Sequence, residues 1–214
     1  AHDFLGVAAA AGSGGLVVSR QESLPSGVPA LLVKDTLAAL QNLAAFNRGR
    51  YKGPVVGVTG STGKTTTKDM VASVLGARLR TLKTEGNLNN EIGLPLTLLD
   101  LDDGIEAAVV ELAMRGPGEI DALCRIARPK GAVITNINET HLERLGTVSH
   151  IAAAKGEILE HIPPGGFALI NAESPFSLRE AKRCRGKVVF FGIDRPADLV
   201  AEDIRPERGG IHFS

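Results

Sequence analysis

Pro54-Val55-Val56-Gly57-Val58-Thr59-Gly60-Ser61-Thr62-Gly63-Lys64-Thr65-Thr66-Thr67 holds a strand, a glycine turn and a helix start in one short stretch. Val55 to Val58 is apolar and mostly β-branched, as a short buried strand requires. Lys64 to Leu75 places Met70, Val71, Val74 and Leu75 at helical spacing, which predicts an amphipathic helix with those four on its inner face. Between them, Gly60 and Gly63 lack Cβ atoms, so successive backbone N–H groups can curl around phosphate oxygens at a helix N-terminus. Lys64 would then reach the β- and γ-phosphates of a nucleotide, and the Thr65 hydroxyl would sit on Mg2+. The longer phosphate-loop pattern needs a glycine where Val58 stands, but the Gly-x-x-Gly-Lys-Thr form is intact. The rival is a plain glycine turn with a solvated lysine, and the flanking strand and helix favour nucleotide binding.

The 214 residues carry 24 basic and 24 acidic side chains, and 4% are aromatic. Balanced charge provides no footprint for nucleic acid or an anionic membrane, and so few aromatics make no base-stacking platform. No run approaches the roughly 18 apolar residues of a membrane span. Phe4 to Val18 lacks the basic flank of a signal peptide and is broken by Gly12, Ser13, Gly14 and Gly15. Cys124 and Cys184 both fall in helical patterns, so buried reduced thiols in a cytoplasmic, monomeric protein are expected.

Working outward, residues 1–50 read as a partial small α/β unit: helical Phe4 to Ala11, strands Leu16 to Ser19 and Ala30 to Val33, then a helix from Thr36 to Phe46 capped by Asp35 or Thr36. Leu37, Leu40, Leu43, Ala44 and Phe46 would form its apolar stripe. The abrupt start, without methionine or a complete first strand, suggests a piece of a longer protein. The polar, glycine-bearing stretch Arg48 to Pro54 is the expected domain boundary. From there, strands at Val55 to Val58, Ala107 to Leu112, Ala132 to Asn136, Phe167 to Ile170 and Val188 to Phe191 alternate with helices. The helices are Lys64 to Leu75, Gly118 to Ala127, Ser149 to Glu160 and Ser177 to Cys184. That alternation predicts an α/β fold, a mostly parallel sheet flanked by helices, over residues 51–214.

In such sheets ligands collect at the carboxyl ends of the strands. Glu111 ends one strand and is a candidate Mg2+ ligand beside the phosphate loop, against a water-facing strand-end carboxylate. His141 follows the strand ending at Asn136 and could ligate a metal or bond a phosphate, although a lone histidine is more often structural. Gly86-Asn87-Leu88-Asn89-Asn90-Glu91-Ile92-Gly93 offers three amides to a polar substrate, or forms a surface turn. On spacing alone Lys155 reads as a solvated helix lysine paired to Glu157 or Glu160, and Arg115, Glu119, Glu139 and Glu143 read as surface or loop charges.

Five segments together resemble the Mur ligases, the ATP-dependent amino-acid and peptide ligases of peptidoglycan synthesis. They are Thr59 to Thr66, Gly86 to Pro95, Glu111 to Ile120, Thr135-Asn136-Ile137 with His141-Leu142-Glu143, and Ala154 to Ile158. The resemblance implies an ATP site at Gly60, Ser61, Thr62, Gly63, Lys64, Thr65 and Thr66, and a first Mg2+ on Thr65 and Glu111. A second metal would sit on His141 and on Lys155, carbamylated by carbon dioxide. The catalytic groups would be Lys64, His141 and Lys155, with Asn89 and Asn90 beside the substrate. The Gly-Asn-Leu-Asn-Asn-Glu-Ile-Gly run favours the member that adds D-alanyl-D-alanine to UDP-N-acetylmuramoyl-tripeptide. Residues 1–50 would then end a UDP-substrate-binding domain, and residues 51–214 would supply most of a central ATP-binding domain. The remaining alternatives are a Mur-type ligase with another acceptor and a non-catalytic nucleotide-binding module.

Overall fold

The computed structural model describes residues 2–21, 24–139 and 146–214. Helix α1 is Leu5–Ala10, and β1 (Leu16–Val18) and β2 (Ala30–Leu32) pair in parallel as a separate two-stranded sheet. Helix α2, Thr36–Arg50, begins where Asp35 Oδ1 accepts the N–H groups of Leu37 and Ala38 at 2.8 and 3.1 Å. That cap satisfies donors the first helical turn cannot pair internally.

The main sheet comprises β3 (Val55–Thr59), β4 (Thr81–Lys83), β5 (Ala107–Glu111), β6 (Gly131–Ile134), β7 (Phe167–Asn171), β8 (Lys187–Gly192) and β9 (Leu199–Val200). Its spatial order is β4-β5-β3-β6-β7-β8-β9, and every neighbouring pair is parallel. The connecting helices are α3 (Lys64–Gly76), α4 (Gly93–Leu99), α5 (Glu119–Ala127), α6 (Val148–Glu160) and α7 (Pro175–Glu180). A hairpin of β10 (Arg205–Glu207) and β11 (Gly210–His212) follows. The α/β class and the five expected strands are all present. Strands β4 and β9 to β11 were not expected: each has at most three residues, too short to show alternation, and none is a three-residue apolar run like β1 and β2.

Successive strand residues point to opposite faces. Val55, Ala108, Val110, Ala132, Ile134, Ala168 and Ile170 join the larger core beneath α2, α4, α5 and α6. Val56, Val58, Val109 and Val133 form the smaller core under α3. The inner stripe of α3 is narrow: Ala72 is buried, Val71 and Leu75 pack partly, and Lys68 is also buried. Met70 and Val74, expected inside, are 61% and 74% exposed.

Helix α2 departs from its pattern for a different reason. Only Ala44 is fully buried, while Leu43 and Phe46 lie exposed. The helix is held through polar side chains that satisfy helix-end carbonyls. Asn47 Nδ2 donates to the carbonyls of Leu98 and Leu99, which end α4, and of Leu101 just past it, at 2.9–3.3 Å. Arg48 donates to those of Ala127 and Arg128 at the end of α5 at 2.6 and 2.9 Å. The polar stretch expected as a domain boundary therefore begins with a residue, Arg48, that binds α2 to the end of α5. Other helices shift modestly: α7 starts at Pro175, whose fixed φ suits a first turn, and Cys184 lies just past a 3-10 turn rather than in a helix. Cys124 is buried and Cys184 half-buried, both as free thiols.

The strand order reverses around β3, with β5 on one side and β6 on the other. The crevice at the carboxyl end of β3 is the ligand position of open α/β sheets. Gly57 lets α6 approach there: a Cβ at that position would lie 2.9 Å from Ile158 Cδ1 and 3.2 Å from Leu112 Cδ1. Ile158 pressed onto the strand brings Lys155, one helical turn earlier, over the loop that leaves β3.

Candidate functional site

The loop Gly60 to Gly63 is built by its neighbour from β6. Ser61 N–H donates to the Asn136 carbonyl at 3.0 Å, and Thr62 N–H to Asn136 Oδ1 at 3.0 Å. Asn136 Nδ2 returns a bond to Thr62 Oγ1 at 2.8 Å, and Thr135 Oγ1 donates to the Thr62 carbonyl at 2.6 Å. Gly60 holds φ +150°, and a Cβ there would collide with the Thr135 hydroxyl. Gly63, at φ +75°, precedes α3 without a side-chain cap, which leaves the N-terminal N–H groups and their partial positive charge facing the loop. Thr66 lies exposed in the first turn.

Two lysines converge on one backbone oxygen. Lys64 Nζ donates to the Gly60 carbonyl at 3.0 Å and to the Ser61 carbonyl at 3.3 Å. Lys155 Nζ donates to the same Gly60 carbonyl at 2.9 Å, although it lies 95 residues away in the chain. Lys155 is 2% exposed. Burial, reinforced by the nearby Lys64 charge, pushes its ammonium down from 10.5 to about 8. The solvated-lysine expectation is thus corrected. Glu157 is occupied elsewhere, accepting the N–H groups of Gly118 and Asp121 at 2.7 and 3.0 Å around the start of α5. Glu160 pairs with Arg183. Spacing could not reveal this because the helix face that carries Lys155 is the one driven into the sheet.

Glu111, at the end of β5, is 2% exposed and held from three directions. Thr65 Oγ1 donates to Oε2 at 2.8 Å, Asn89 Nδ2 donates to Oε1 at 2.7 Å, and the Glu111 N–H donates to Thr84 Oγ1 at 3.0 Å. The water-facing alternative for Glu111 is therefore excluded. Asn90 faces another way: its Oδ1 accepts the N–H groups of Ile92 and Gly93 at 3.1 and 2.9 Å, ahead of α4. Beside this loop lies a cleft of about 190 Å³ lined by Gln41, Glu91, Ala113, Arg115 and Glu119. His141 and Glu143 lie outside the described residues.

A hydroxyl and a carboxylate in contact offer only oxygen donors, the set that suits Mg2+. The glycine loop, the uncapped helix start and two ammonium groups around them suit an anionic phosphate chain. The Mur ligase middle-domain model matches residues 58–214 of the chain.

The chain belongs to the Mur ligase family.

Relatives of this Mur ligase segment include the UDP-N-acetylmuramoyl-tripeptide–D-alanyl-D-alanine ligases of Bacillus subtilis and Synechocystis. The first is 42% identical over the whole chain and 46% of its own length; the second is 43% identical over 90% of the chain and 43% of its length. The chain thus spans less than half of these relatives. Among solved structures, MurF from Acinetobacter baumannii superposes with a TM-score of 0.87 at 36% identity, over 95% of this chain and 45% of that one. MurF ligase from Thermotoga maritima in complex with ADP gives 0.87 at 35% identity, over 99% and 49%.

Several residues that shape the Mur ligase site had little signal of their own. Thr84 and Thr135 are single hydroxyls whose partners are distant in sequence. Lys68, buried and bonded to the Thr84 carbonyl at 2.7 Å, sits in a helical turn that reads as solvated.

Proposed function

We propose that the chain is the ATP-binding portion of a ligase that joins D-alanyl-D-alanine to UDP-N-acetylmuramoyl-tripeptide, forming the amide bond through an acyl phosphate during peptidoglycan precursor synthesis. On this reading residues 1–50 belong to the UDP-substrate-binding domain and residues 51–214 to the ATP-binding domain of a cytoplasmic, monomeric enzyme. The carrying observation is the Thr65–Glu111 contact beside a glycine loop on which Lys64 and Lys155 converge. The identity to named D-alanyl-D-alanine-adding ligases supports the choice of acceptor.

Each residue has its own share of the work. Gly60, Ser61, Thr62, Gly63, Thr65 and Thr66 line the phosphate chain, and Lys64 exchanges its contact with the Gly60 carbonyl for phosphate oxygens. Thr65 and Glu111 would hold Mg2+, which would supply positive charge beside the phosphoryl group. Lys155, as a carbamate, and His141 would hold a second cation. An ammonium lowered to about 8 supports this, because only the neutral amine captures carbon dioxide. Asn89 and Asn90 lie on the substrate side. The amine of D-alanyl-D-alanine attacks the acyl phosphate, the new C–N bond forms, and phosphate leaves.

The test is ADP release by the full-length parent enzyme with ATP, Mg2+, tripeptide substrate and D-alanyl-D-alanine. Release that requires both tripeptide and dipeptide is expected, whereas release indifferent to omitting either refutes ligation. Turnover restored by glutamate or a diamino acid in place of the dipeptide would reassign the acceptor.

A further inference from the structure

We infer that Asn89 is a positioning residue for the Glu111 carboxylate: by holding Oε1 it leaves Oε2 alone to face a cation, and so biases the site toward Mg2+ over Ca2+. The inference rests on the metal reading of Thr65 and Glu111 proposed above.

The contact is chemically unambiguous in direction. An ionised carboxylate only accepts, so the Asn89 amide must present its NH2 group to Glu111, at 2.7 Å. Glu111 Oε2 instead meets the Thr65 hydroxyl. When a cation binds, that hydroxyl can rotate its proton away and offer a lone pair beside Oε2. Oε1 keeps its Asn89 contact, because an amide N–H cannot become an acceptor, so a cation reaching that oxygen has only its remaining lone pair to use.

The loop that carries Asn89 is built to keep it there. The Ala113 N–H, two residues beyond Glu111, donates to the Asn89 carbonyl at 2.9 Å, which ties the loop backbone to the end of β5. Asn90 Oδ1 caps the following N–H groups, and Gly93 packs so closely that a Cβ there would collide with the Leu88 backbone. Gly86 enters the loop at φ +52°. The carboxylate is buried, so it has no water with which to renegotiate its orientation.

Ca2+ is larger and commonly takes both oxygens of a carboxylate, whereas Mg2+ keeps a tight octahedron with single-oxygen ligation. A glutamate whose Oε1 already accepts a hydrogen bond offers that oxygen less readily, and so disfavours the two-oxygen ligation that Ca2+ takes. Removing the Asn89 N–H opens the second oxygen and should relax that preference.

The experiment uses residues 1–214 and Mn2+ alone as the probe, read as paramagnetic broadening of backbone amide signals around Thr65 and Glu111 and reversed by added Mg2+ or Ca2+. Wild type should show broadening that Mg2+ reverses at lower concentration than Ca2+. In Asn89→Ala the Mg2+-to-Ca2+ preference should shift toward Ca2+ by about threefold or more, because bidentate ligation becomes available. Asn89→Leu, similar in volume but with no hydrogen-bonding group, should shift it in the same direction and carries the test if the alanine variant loses amide dispersion. A preference unchanged in the Asn89 variants, while Glu111→Gln abolishes the broadening, overturns the Asn89 inference alone. Broadening untouched by Glu111→Gln overturns the metal reading and the inference with it.

Discussion

Replacing Lys155 by methionine should make the chain more stable near neutral pH, and less so as the pH rises. Lys155 is 2% exposed and its ammonium is lowered from 10.5 to about 8, chiefly by burial. A shift of that size corresponds to about 3 kcal/mol against the charged form. Below about pH 8 the amine is protonated in both folded and unfolded chains, and that cost applies in full. Above about pH 10.5 it is neutral in both, and the cost is gone, so wild type gains stability as pH rises through this window. Methionine fills a similar volume without charge. It forgoes the bond to the Gly60 carbonyl, about 1 kcal/mol net, but Lys64 still donates to that oxygen and leaves it satisfied. The balance is a gain of roughly 2 kcal/mol near pH 7, narrowing and then changing sign toward about pH 11. Urea denaturation of both proteins in buffer freed of carbon dioxide, across that pH range, measures the difference directly. A Lys155→Met chain that is less stable at pH 7, or a difference that does not vary with pH, would refute the argument that Lys155 is a buried, weakly compensated cation.

Two further outcomes follow from the packing. Gly60→Ala adds a Cβ at φ +150° and into the Thr135 hydroxyl, so it should cost about 1–3 kcal/mol and distort the loop; calorimetry and ADP titration check it, and near-wild-type values for both would contradict the described loop. Asn47→Ala removes one amide that serves three carbonyls at the end of α4, so a loss of about 1–2 kcal/mol is expected in urea, with amide exchange accelerated in α2.

The strand–loop–helix unit around Gly60, the parallel alternation of strands and helices, and the strand-end position of Glu111 were legible in the sequence. Each is a local pattern: a run of β-branched residues, a glycine spacing, a carboxylate closing an apolar stretch. The Mur ligase likeness was legible too, because it rests on five segments whose order needs no coordinates. Where local patterns pointed the wrong way, the cause was a neighbour. Met70 and Val74 follow helical spacing, but the face of α3 that meets the sheet is set by what β3, β5 and β6 present to it.

Lys155 marks the divide most clearly. Its one-dimensional surroundings, two glutamates within five residues on a helix, describe a solvated side chain. Only the approach of α6 over Gly57 turns it inward to the Gly60 carbonyl, while Glu157 and Glu160 find partners on α5 and beyond α7. The amino-acid order by itself determined which segments become strands, helices and a phosphate-sized loop, because those depend on periodicity and on residues close in the chain. The tertiary structure alone decided which charges are buried, which amide orients Glu111, and which oxygens and ammonium groups share one site. Those depend on contacts between residues far apart in the chain, 95 positions in the case of Gly60 and Lys155, and on the water that packing excludes.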